Sequence, residues 1–141
     1  MNVLQELQAL NYLAVLVATL ASYLLGFFWY HWGVFGRCWA NSLSLTKEEA
    51  DNTQGLGWAF FISLTSGAVK ALWVAFLLSL AGISGVLSGA LFAATLAVAF
   101  TATSIGYYNG FARLPSRFTC INGAHSVAEL ALIGAVIGLF S

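Results

Sequence analysis

Charge is what this sequence has least of. Among 141 residues, five are Lys or Arg and five are Asp or Glu, 7% of the chain, where a water-soluble domain carries about 25%. Apolar residues make up 60%. There is too little polar surface here to cover a globule in water, so lipid must be the solvent for most of the chain. The balanced charge leaves no basic patch for nucleic acid. A single proline and no low-complexity run leave no room for a long disordered tail. Cys38 and Cys120, with His31 and His125, are too dispersed to show metal-ligand spacing. No Ser-His-Asp grouping, paired carboxylates or phosphate-cradling glycine loop occurs, so no catalytic site is visible and a non-enzyme is expected. The first ten residues contain no Lys or Arg and include Glu6, unlike the basic start of a cleavable signal. The first helix is therefore expected to stay in the mature protein.

What the chain does have is long apolar runs. The spacing predicts four membrane-spanning helices, over residues 12–34, 57–81, 86–107 and 120–140, each long enough for a hydrocarbon core of about 30 Å. The expected fold is an all-α integral membrane bundle in one domain. Residues 1–10 are mildly amphipathic and either begin the first helix or lie along the interface. The polar loops are 37–55 and 108–119. In the first loop, Thr46-Lys47-Glu48-Glu49 has capping-box spacing, which fits a short surface helix or an irregular loop. The Gly82–Gly85 turn is so tight that the second and third spans are expected to be antiparallel neighbours.

Both loops fall on one side of the membrane, and they hold Arg37, Lys47, Arg113 and Arg117, while the termini and the short turn hold no cation. Loop cations mark the cytoplasm, so both termini are expected on the non-cytoplasmic side. Trp29, Tyr30, Trp32, Trp39, Trp58, Tyr107 and Tyr108 collect at the same boundary, where aromatic rings and the arginines anchor helices to headgroups. Cys38 and Cys120 then face a reducing compartment, and no structural disulfide is expected.

Lys70 stands out as a cation near the bilayer midplane, about 20 Å from the start of its helix. Such a charge costs at least ~2.5–3.5 kcal/mol and must face protein or water. Ser63, Ser66, Gly67 and Lys70 share one helix face, which should be the bundle interior. Glu129 is the only acid inside a span, with His125 and Asn122 one and two turns before it on the same face. With the fourth helix starting at residue 120, Glu129 sits about 12 Å deep, leaving a mismatch with Lys70 of about 8 Å. The set Lys70, Glu129, His125, Asn122, Ser63 and Ser66 reads as a polar relay or binding site, or as an ion pair that only fixes helix register. His31 and His125 could together hold a haem, or be interfacial and core histidines.

Three glycine pairs, Gly85/Gly89, Gly106/Gly110 and Gly134/Gly138, have the spacing of close helix approach. Gly134 and Gly138 lie about 140° to 180° round the helix from Glu129. That predicts an outer face for another subunit, or else packing within the same bundle.

The first span carries a resemblance. Asn11, Ala14-Val15, Gly26, Trp29-Tyr30, Phe35-Gly36 and Trp39 resemble the opening signature of the "domain of unknown function 1761" family of small bacterial four-helix membrane proteins. The similarity continues through Asn109, Arg117 and Ile121-Asn122-Gly123. That family often has a proline after the Trp-Tyr pair, where this chain has His31-Trp32, so a different helix exit is expected. The resemblance implies four spans and a bacterial cytoplasmic membrane, and brings no activity. Three functions follow, in order. The first is a non-catalytic protein acting by helix assembly, with itself or as an accessory subunit of a larger membrane complex. The second is a small-solute or proton-linked carrier using Lys70 and Glu129. The third is a redox component holding haem or quinone.

Overall fold

The computed structural model describes residues 2–141; among them all regular structure is helical and no strand occurs. In chain order the elements are α1 (Val3–Ala9), α2 (Tyr12–Trp29), a π-helical turn (Trp32–Gly36), α3 (Arg37–Ser42), α4 (Lys47–Asp51) and α5 (Gly57–Ala81). Then come α6 (Val86–Leu96), a second π-helical stretch (Ala97–Ala102), α7 (Thr103–Phe111) and α8 (Ser116–Leu139). Helix α6, the π stretch and α7 run as one rod, Val86–Phe111. That rod, α2, α5 and α8 are four helices long and apolar enough to cross a membrane, the property of a multi-pass membrane protein.

Local chemistry sets the helix ends. The side chain of Asn11 accepts the Ala14 N–H at 3.1 Å and starts α2 afresh after the separate helix α1. Helix α2 stops at Trp29, short of the predicted residue 34, because Tyr30 leaves helical geometry and His31 is extended. The His31 ring then caps the π turn, its Nδ1 accepting the Gly33 N–H at 3.2 Å. Gly36 closes that turn, since a Cβ there would strike the Tyr30 carbonyl oxygen. In the first loop Thr46 and Glu49 form a reciprocal capping box that opens α4. At the end of α7, Arg113 adopts a left-handed φ of 56° and the Leu114 N–H turns back to the Asn109 carbonyl at 2.9 Å. Pro115 is extended, and α8 begins at Ser116, four residues before the predicted start at 120.

Helix α8 is the axis of the bundle. It packs on α2, α5 and the whole length of the third rod, and several sides of it are buried, including Ile121, Leu130, Ile133 and Ile137. The second and third spans, expected to be neighbours because of their short turn, touch little beyond that turn. The fourth span takes the third as its partner instead, through glycines. A Cβ on Gly134 would fall on the Gly89 carbonyl oxygen, and one on Gly138 on that of Gly85. The Gly85 N–H also donates to the Gly138 carbonyl at 3.1 Å, satisfying one of the carbonyls left free at the end of α8. The outer-face reading of Gly134 and Gly138 is thereby overturned. They are spent inside the bundle, because lipid gives apolar helices no reason to associate beyond what close backbone approach supplies. Gly106 and Gly110, in contrast, meet nothing within 4 Å.

On the other side, Gly67 of α5 sits where a Cβ would lie 2.9 Å from Ser22 Oγ of α2. Between these seams lies an apolar core of Ala18, Ala71, Val74, Ala75, Leu78, Ala93, Ala97, Leu130, Ile133 and Ile137. Alanine at five of these positions keeps the helices close enough for dispersion contacts to accumulate.

Candidate functional site

Two charges meet in the middle of this bundle. Lys70 is thirteen residues into α5 (70 − 57) and Glu129 thirteen into α8 (129 − 116). At 1.5 Å per residue both are about 20 Å from their helix starts. The 8 Å mismatch expected from the sequence disappears because α8 begins at Ser116. The ammonium of Lys70 donates to Glu129 Oε2 at 2.7 Å, with the glutamate side chain 10% exposed and the lysine side chain 30%. A charge-assisted contact of that length offsets much of the desolvation that either ion alone would suffer.

Toward the loop end, the face of α8 that carries Glu129 continues through His125 and Asn122. Asn122 Oδ1 accepts the Tyr30 hydroxyl at 2.7 Å, a bond linking the exit of α2 to the start of α8. His125 is half-buried, with the Tyr30 ring 5.2 Å and the Trp29 ring 5.7 Å away between centroids. Its Nε2 faces the bare Cα of Gly26, where a Cβ would lie 3.9 Å away. Both His125 Nε2 and Trp29 Nε1 are buried without a hydrogen-bond partner.

Tyr30, Asn122 and His125 line a cavity of about 630 Å³, within the range of small-molecule sites, roughly 300–1,000 Å³. It lies at the loop end, between the exit of α2, the π turn, α3, the end of α4 and the starts of α5 and α8. Its walls are mainly aromatic, from Tyr23, Phe27, Tyr30, Trp32, Trp39, Phe60 and Phe118, with Ser63, Asn122, His125, Thr53 and Asp51 supplying polarity. A second cavity of about 400 Å³ lies at the opposite end, beside Leu10, Asn11, Ser79 and Ile137. The apolar core separates it from the ion pair. Of these two cavities the loop-end one is the candidate site, because it joins Ser63, Asn122 and His125 to an aromatic hollow.

The residues singled out in the sequence thus divide. Ser63, Asn122 and His125 line the cavity. Ser66, one turn below Ser63 on α5, leads from it to Lys70 and Glu129. Tyr30, Trp32 and Trp39, read as headgroup anchors, turn inward as cavity walls, while Trp29 packs on Phe35 at 4.5 Å. Arg37, Arg113 and Arg117 are exposed and outside the lining. His31 is exposed, occupied with Gly33 and absent from the cavity wall, so the two histidines serve different places. Among the described residues no group of three or more His, Cys, Asp or Glu is placed to hold a metal ion. Asp51 and Phe118 were missed by sequence reasoning. Nothing marked them, since the placement of Asp51 at the cavity rim and of Phe118 in its wall depends on how the first loop folds beside the start of α8, where Trp39 meets Phe118 at 6.3 Å.

The chain belongs to the family described as "Protein of unknown function (DUF1761)", whose profile matches residues 13–138. No curated protein and no solved structure matches it.

Proposed function

We propose that this family member is a small carrier of the bacterial cytoplasmic membrane. It admits a solute from the cytoplasm into the loop-end cavity and couples occupancy to the Lys70–Glu129 pair. Both termini then lie outside, and the cations of the two loops face the cytoplasm. The observation that carries this reading is continuity. The cavity groups Ser63, Asn122 and His125 stand on the two helix faces that, one or two turns deeper, bear Lys70 and Glu129. An ion pair inside a span, one or two helix turns below a hollow at one end and bounded by an apolar core at the other, supports one-sided access of the kind a carrier alternates.

The test is accessibility. Ser66→Cys in a Cys38→Ser, Cys120→Ser background should react with a membrane-impermeant thiol reagent added to the loop side of sealed vesicles, and not with reagent on the other side. Reaction from neither side would remove the water path on which the reading depends. In parallel vesicles carrying the native chain, Cys38 and Cys120, both exposed, report which side the loops occupy.

Assembly with further copies, or with the helices of a larger membrane complex, is the second reading. It is favoured by the uncovered Gly106 and Gly110 and by the exposed Leu87, Leu91, Val98 and Phe100 of the third rod. Lys70→Met separates the two readings. It should abolish flux in proteoliposomes and leave association with partner subunits intact.

A further inference from the structure

The chemistry of the cavity wall selects among solutes, an inference that rests on the carrier reading above. We infer that the cavity takes an organic cation, a quaternary or protonated amine bearing an apolar group. Among the described residues one carboxylate, the exposed Asp51, reaches the rim of the wall, and no Lys or Arg lines it. An organic anion would therefore be buried without a counter-charge, at high cost. Seven of the other lining side chains are aromatic, and a ring face carries negative quadrupole potential that attracts a cation within about 6 Å of its centroid.

The rings of the wall pack in two sets. Tyr30 and Trp39 are 6.0 Å apart at 72°, Trp39 continues to Phe118 at 6.3 Å, and Phe27 stacks on Phe60 at 6.0 Å. Asp51 is also available. Its partner is Lys47, an exposed neighbour at 3.7 Å, and such surface pairs exchange at little cost. Lys70 does not oppose a cation at the wall, because its charge is matched by Glu129 at 2.7 Å and it stays outside the lining.

A charge series of one shape tests this on the full chain in micelles. The probes are 3-hydroxyphenyltrimethylammonium, its neutral carbon isostere 3-tert-butylphenol, and 3-hydroxybenzenesulfonate, with binding followed by equilibrium dialysis and competition. The cation should bind about tenfold tighter than the phenol, and the sulfonate should not compete. Asp51→Asn, on an exposed helix outside the core, should weaken the cation about threefold or more and leave the phenol unchanged. Trp39→Leu should weaken the cation as well. Equal or tighter binding of the phenol or the sulfonate would overturn the cation class while keeping the cavity as a solute site. Binding of none of the three would remove the class and the solute site together. Cation binding indifferent to both Asp51→Asn and Trp39→Leu would put it elsewhere on the protein and also overturn the inference.

Discussion

Gly134→Ala is the substitution that most directly questions the architecture. The added Cβ would land on the Gly89 carbonyl oxygen and 2.7 Å from Ala93 Cβ, whereas carbon atoms in contact rest about 3.5–4.0 Å apart. Backbone on one side and a helical alanine on the other cannot rotate away, so α6 and α8 must separate by about 1 Å. Overpacking of this kind costs about 1–3 kcal/mol. Loss of the Gly85–Gly138 backbone hydrogen bond as the seam opens adds about 0.5–1.5 kcal/mol. The expected destabilisation is therefore about 1.5–4.5 kcal/mol, read from equilibrium unfolding in mixed micelles of increasing denaturing detergent.

Gly106→Ala is the control. Nothing lies within 4 Å of its Cβ position, and replacing a mid-helix glycine by alanine should be neutral or stabilising by up to about 1 kcal/mol. Native mass measured beside unfolding distinguishes the alternatives. A Gly134→Ala protein that unfolds like wild type but changes its native mass would mean the seam lies between subunits, and the reasoning would fail. Equal destabilisation by Gly106→Ala would refute it as well, since no steric cause exists there.

Two further outcomes follow from the charges. Lys70→Met strands a glutamate whose side chain is 10% exposed and should cost about 3 kcal/mol, at the low end for buried pairs because the lysine side is partly open. The double change Lys70→Met, Glu129→Leu should recover most of it; a double variant no better than the single would show that Glu129 is not stranded by loss of its partner. In the capping box of α4, hydrogen bonds from the Thr46 backbone and side chain hold the Glu49 carboxyl below the usual glutamate range, outweighing a small opposing effect of burial. A lowered folded-state pKa stabilises fully above the ordinary glutamate value, and that contribution is lost as pH falls through the lowered one. Acid titration followed by NMR should therefore release the Thr46 amide in that window, and a Thr46 amide indifferent to Glu49 protonation would contradict the cap.

The class of this protein and the positions of its rare charges were legible in the residues alone. Sparse charge and four apolar runs dictate helices that satisfy their own backbone in lipid, since the alternative, a closed β-barrel, is written in short alternating strands and not in long continuous apolar runs. The motif around Trp29-Tyr30 and Phe35-Gly36 was enough to indicate the family, because backbone-limited positions such as Gly36 are read directly from residue identity. Ser63, Ser66 and Lys70, like Asn122, His125 and Glu129, were also legible as polar faces, because helical period is a local property. What tertiary structure alone decided was which faces meet. A helix start four residues earlier, at Ser116, brought Glu129 level with Lys70. The choice of the third rod as the partner of α8 turned Gly134 and Gly138 inward, although sequence neighbours and helix angles had suggested otherwise. The folding of the first loop over the start of α8 made a cavity from Trp39, Asp51 and Phe118. Helix period fixes directions around one axis, but the pairing of axes depends on close approach between residues far apart in the chain, and that is settled only when the helices pack.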